Sequence, residues 1–242
     1  MKYLVIALLI GLATWNARAD NDVSKVNGAV RVEAGQTVGD VSSVNGSVRV
    51  EDGVTAQDVE TVNGSIHIGE RSRVRSIETV NGGISVGDGT HAQSVESVNG
   101  TIKLGRQVQL AGDMTTVNGS TSAAQGAEVR GNVETVNGRI ELDAARVGGQ
   151  LRTRNGDVTV GANSHVSGDL VVEKVNRGWF NSNKRNPKIV IGPNAIVEGT
   201  LRFHREVDLY VSNTAKIGKV EGATPRRFSG SEPNEADMQV ER

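Results

Sequence analysis

The chain is predicted to be all-β: a single-stranded parallel β-helix, or β-solenoid, with three short faces and a coil period of about 18–19. Three observations predict it. The tripeptide Val-Asn-Gly starts at Val26, Val44, Val62, Val80, Val98, Val117 and Val136, then weakens to Arg154-Asn155-Gly156 and Val175-Asn176-Arg177. The steps between successive starts are 18, 18, 18, 18, 19, 19, 18 and 21. Aliphatic residues follow the same clock. Every sixth position from Val26 to Leu110 is Val, Ile, Leu or Ala, and the columns Val30, Val48, Ile66, Ile84, Ile102 and Val23, Val41, Val59, Ile77, Val95 repeat with the coil. The third observation is composition: 30 glycines, no cysteine, and no aromatic side chain between Trp15 and Trp179. Such a chain has to bury small aliphatics in a thin, regular core.

The physical reasoning is short. A fixed period near twenty marks a stacked repeat whose units bury apolar residues only against their neighbours. Alternation such as Val48-Arg49-Val50 or Ile66-His67-Ile68 marks strands too short for a wide sheet. Winding one coil on the next at strand spacing satisfies both conditions. Helices lack their 3.6-residue period here, and propeller blades need about forty residues. Right-handed winding is favoured by the general preference for right-handed crossovers.

The elements follow in order. Residues 1–19 read as a signal peptide: Lys2, an apolar run from Tyr3 to Ala13, and Ala17-Arg18-Ala19 as the cleavage site. Residues 20–176 are the regular array. Its Asn-Gly corners are Asn27-Gly28, Asn45-Gly46, Asn63-Gly64, Asn81-Gly82, Asn99-Gly100, Asn118-Gly119, Asn137-Gly138 and Asn155-Gly156. At each corner the Asn is expected to stack its amide on the next, the Gly to supply positive φ, and the preceding Val to point inward. The Ser43, Thr61, Thr79, Ser97, Thr116, Thr135, Thr153 column and the Glu60, Glu78, Glu96 column are both expected on the solvent face. Residues 177–188 form an aromatic and basic insertion with Arg177, Trp179, Phe180, Lys184, Arg185 and Lys188, read as a binding spur or, by preference, a packing flap. Coils resume over 189–223, and 224–242 is expected to be a disordered polar tail.

Two resemblances attach to these segments. The string IGPNAIVEGTL with AKIGKVEG, within residues 188–222, resembles bactofilins. That resemblance implies a β-helical scaffold able to assemble end to end. The Asn-Gly-rich array of residues 23–176 is similar to secreted bacterial adhesin-type β-solenoid repeat proteins of unknown function. Bactofilins are cytoplasmic, so the signal peptide separates this chain from their cytoskeletal role.

Composition narrows the function classes. Without residues 1–19, and so without Lys2 and Arg18, the chain has 25 basic and 28 acidic residues, a net charge of −3, which gives no reason to expect nucleic acid. His67, His91, His165 and His204 follow no metal-ligand spacing, and no nucleophile elbow or phosphate-binding loop is present. No cofactor is expected, no cleft wall is foreseen before Val175, and the reading is non-catalytic. The expected roles are a structural or adhesin-like scaffold, forming homo-oligomers through its coil ends, or a module binding glycan or an envelope protein; a polysaccharide-acting enzyme is the remote alternative. Export to the periplasm is expected, with the outer surface and the medium left open, and no membrane span is foreseen in the mature chain.

Overall fold

The computed structural model describes residues 21–174 and 185–234. It is a parallel β-solenoid of about eleven stacked coils, each contributing three short ladders of strands. The first ladder contains Val23–Asn27, Val41–Asn45 and, later, Met114–Asn118 and Val133–Asn137. Past the Asn-Gly corner the second begins with Val30–Val32, Val48–Val50 and Ile66–Ile68. The third holds Gln109–Leu110, Glu128–Val129 and Arg146–Val147. In three coils the third and first ladders run together as Thr55–Asn63, Arg73–Asn81 and His91–Asn99. Those continuous strands merge two faces into one 17-stranded sheet, and the second ladder stands apart as an 11-stranded sheet. With neighbours about 4.8 Å apart, eleven strands make a rod about 48 Å long.

Register is kept by the repeat: Val30 pairs with Val48, and Val48 with Ile66. The insertion is absorbed in one coil. Val158 pairs with Ile189 across the whole of it, whereas Ile189 pairs with Leu209 at close to the usual interval. The final coil is shorter than the others, with Arg226 pairing with Tyr210.

The interior is aliphatic, from Val30, Val48 and Ile66 through Ile140 and Val158. Three expectations about the corner are overturned. The Val of Val-Asn-Gly points outward: Val26 is 66% exposed and Val44 42%. The hydroxyl column, expected outside, is buried, with Ser43, Thr61, Thr79, Ser97, Thr116, Thr135 and Thr153 all at 4% exposure or less. Alternation along Thr61-Val62 therefore runs opposite to hydropathy. The reason is a hydrogen bond: the Thr61 hydroxyl donates to the Gly46 carbonyl at 2.9 Å and Thr79 to Gly64 at 3.0 Å, so the small polar group is satisfied indoors. A sixfold count from Val26 thus cycles through one surface column (Val26, Val44) and two core columns (Val32, Val50 and Ala56, Val74).

The third correction concerns glycine. Of the Asn-Gly corners only Gly28 has positive φ, at 105°. The others are needed for close approach. A Cβ on Gly82 would lie 1.9 Å from the Gly64 carbonyl oxygen, and on Gly100 1.8 Å from that of Gly82. The left-handed corner lies after the second ladder, where Gly53, Arg71, Gly89, Gln107, Ala144 and Asn163 take φ between 43° and 68°.

The tail from Thr224 begins differently from the expected disorder. Arg226–Phe228 adds the last strand of the second ladder, and Phe228 is 1% exposed. With Val190 and Tyr210 it forms a small apolar cluster separate from the main core. Lys188 Nζ and Arg226 Cζ lie 5.6 and 5.7 Å from the Tyr210 ring centroid, so two cations flank the aromatic ring.

Candidate functional site

The Asn-Gly corners build a continuous amide ladder on the rod's edge. Asn45 Nδ2 donates to Asn27 Oδ1 at 3.1 Å, Asn63 to Asn45 at 2.9 Å, Asn81 to Asn63 and Asn99 to Asn81 at 3.0 Å. Asn118, Asn137 and Asn155 continue it at 2.9, 2.9 and 3.0 Å. Each amide is donor to one neighbour and acceptor from the other, an arrangement that requires identical side chains in register.

The ladder stops at Asn155, and what replaces it is charged. Thr153 pairs with Val172 and Val172 with Phe203, so the positions equivalent to Asn155 in the next two coils are Lys174 and Arg205. Arg205 Nη1 reaches back to donate to Asn155 Oδ1 at 2.9 Å, closing the ladder with a guanidinium. The column just after the glycine changes too. It reads Ala29, Ser47, Ser65, Gly83, Thr101, Ser120, and then Arg139, Asp157 and Lys188.

Here the surface is concave, contrary to the expectation of no cleft wall. A groove of about 610 Å³ is lined by Ser120, Asn137, Gly138, Arg139, Asn155, Gly156, Asp157, Arg185, Asn186, Pro187 and Arg205. The end of the insertion forms one wall. Arg185 Nη2 donates to Asp157 Oδ2 at 2.6 Å, and the Lys188 backbone N–H to Asp157 Oδ1 at 2.8 Å, so one carboxylate pins the returning chain. Arg139 pairs with Glu141 at 3.0 Å, both side chains being more than half exposed.

Of the six loop residues singled out in the sequence, Arg185 lines this groove and Lys188 starts a strand. Arg177, Trp179, Phe180 and Lys184 lie outside the described residues. Arg139, Arg205 and Asp157 escaped the sequence reading. For Arg139 and Asp157 a signal existed, in charge entering a column that had been small and neutral for six coils. For Arg205 there was none, because its place in the column depends on the lengthened register across the insertion.

On the flank, the Glu column is exposed or half-buried and in register, Glu60 pairing with Glu78 and Glu78 with Glu96. Desolvation, then the neighbouring Glu78 charge, pushes the Glu60 and Glu96 carboxyls above their ordinary value. His165 Nε2 meets Glu198 Oε1 at 2.8 Å as an isolated surface pair. Among the described residues no three His, Cys, Asp or Glu side chains gather as a metal site, and no helix is long and apolar enough to cross a membrane. No protein-family model, curated protein or solved structure matches the chain.

Proposed function

We propose that the protein is a non-catalytic scaffold, exported to the bacterial periplasm, whose coils form a rigid rod and whose open ends let copies add head to tail. The observation that carries this reading is the state of the sheet ends. Among the described residues the 11-stranded sheet terminates in Val30–Val32 at one end and Arg226–Phe228 at the other, each paired on one side only. Such edges accept a further strand. The first edge is oriented for it. Val30 N–H donates to Ser47 and Val32 C=O accepts from Glu51, so parallel pairing turns the N–H and C=O of Arg31 to the open side. Half-buried Val23 and Val38 in the first coil, and Ile217, Val220 and Ala223 in the last, supply apolar contact at both ends. The two ends differ, so the contact is heterologous and propagates instead of closing a dimer. The export signal, residues 1–19, supports the compartment.

The test is light scattering of residues 20–242 over a concentration series, beside Arg31→Pro. Proline removes only the outward N–H and leaves the internal bonds to the second coil in place. Mass should rise with concentration for the native chain and stay monomeric for the variant. A native chain that remains monomeric throughout would rule the assembly out.

A further inference from the structure

The groove beside the insertion has a chemistry unlike the rest of the rod. The whole chain carries a net charge of −1, yet the groove lining holds three arginines against one aspartate. That aspartate is engaged, since both Asp157 oxygens already accept, from Arg185 and from the Lys188 backbone. Arg205, half-buried, commits Nη1 to the neutral Asn155 amide and the Arg154 carbonyl, and Arg139 is tied only to an exposed glutamate. The groove therefore offers surplus donors, and its Arg205 guanidinium has no carboxylate partner among the described residues. It is also long. Ser120, Arg139, Asp157 and Arg205 belong to different coils, so it runs along the axis for about 19 Å at strand spacing. Ser120, Asn137 and Asn155 add hydroxyl and amide groups to the same lining.

An elongated site with guanidinium forks beside neutral donors matches an extended chain that carries both anionic groups and hydroxyls. We propose that this groove binds a segment of an acidic oligosaccharide through Arg139, Arg185 and Arg205, which meet its carboxylate or sulfate groups, while the corner amides meet its hydroxyls. Guanidinium can pair two oxygens of one such anion through two parallel N–H bonds, which lysine cannot do. The site needs no second copy and is independent of end-to-end assembly.

Calorimetric titration of residues 20–242 tests this with three probes of equal length: an oligogalacturonate, a sulfated oligosaccharide and a neutral one. Binding of either acidic probe, weakened by added salt, is expected, and the tighter one names the anion. The double variant Arg139→Gln with Arg205→Gln should lose about tenfold or more in affinity, whereas Arg49→Gln, exposed on the second ladder far from the groove, should bind as the native chain does. If Arg205→Gln lowers the unfolding temperature, Arg139→Gln alone carries the comparison, its side chain being 55% exposed. Failure of both acidic probes, equal binding of the neutral probe, or unchanged affinity in the folded arginine variants would overturn the proposal.

Discussion

The coils before Leu104 and those after Leu170 share the same ladders but finish the same corner with different chemistry. In the earlier coils each corner stacks asparagine on asparagine, glycine against a glycine carbonyl, and a buried Ser or Thr that donates to that carbonyl. In the later coils the asparagine column becomes Lys174 and Arg205, and the buried hydroxyl column becomes Val172 and Phe203. The substitutions are coupled. From Val172 on, an apolar side chain stands where the earlier coils place a hydroxyl that would have to find a partner in the core. Thr153 stands at the boundary, and its buried Oγ1 has no hydrogen-bond partner. The comparison teaches that identical residues in register are a stability device, and that dropping the identity frees the corner to carry charge.

The largest test of that contrast is steric. Gly82→Ala puts a methyl 1.9 Å from the Gly64 carbonyl oxygen, so two coils must part. A loss of about 3 kcal/mol is expected from urea unfolding. Register from Phe203 places the exposed Glu206 in the same column, where Glu206→Ala should change stability by less than about 0.5 kcal/mol. Equal losses at both positions would remove the distinction between the two regions.

A smaller effect concerns the hydroxyls. Thr79→Val deletes a 3.0 Å bond to Gly64 and should cost about 1 kcal/mol. Thr153→Val removes a hydroxyl that has no partner, beside Val172, and should be neutral or stabilising. Thermal unfolding of the two single variants reads the difference directly, and a cost at Thr153 matching that at Thr79 contradicts the account.

The smallest effect is in pH. Burial and then the Glu78 charge raise the Glu96 carboxyl above its ordinary value of 4.5 in the folded state. A raised acid favours its protonated form in the fold, so its contribution is fully present below about pH 4.5 and is lost as pH rises through the folded value. Glu96→Gln should therefore unfold at a slightly higher temperature than the native chain at neutral pH, the gap closing on acidification. A gap that widened as pH fell would reverse the sign. The later coils hold Arg152, Val171 and Arg202 in this column and should show no such dependence.

The fold was legible because the period is fixed by backbone stacking, which tolerates no drift: Val30, Val48 and Ile66 announce their pairing without any tertiary information. Facing was less legible. Hydropathy put Val44 inside and Ser43 outside, and the structure reverses both, because a short hydroxyl bonding a carbonyl is better buried than a Val whose position the corner geometry turns outward. The corner glycines serve close approach between coils more than positive φ, and close approach leaves no mark in a single repeat. The groove was half legible. Arg185 announced itself in the insertion, whereas Arg205 joins it only through a register that the insertion conceals.

Amide exchange at Arg31 tests the central claim, that the rod's inner coils are structure and its ends are where copies meet. Its N–H points off the open edge in a single copy, so exchange should slow as protein concentration rises, together with exchange along Arg226–Phe228. Exchange in Ile84–Val86, already paired on both sides, should not change with concentration. Slowing that falls on the inner coils instead, or exchange at Arg31 that ignores concentration, would contradict a scaffold built end to end.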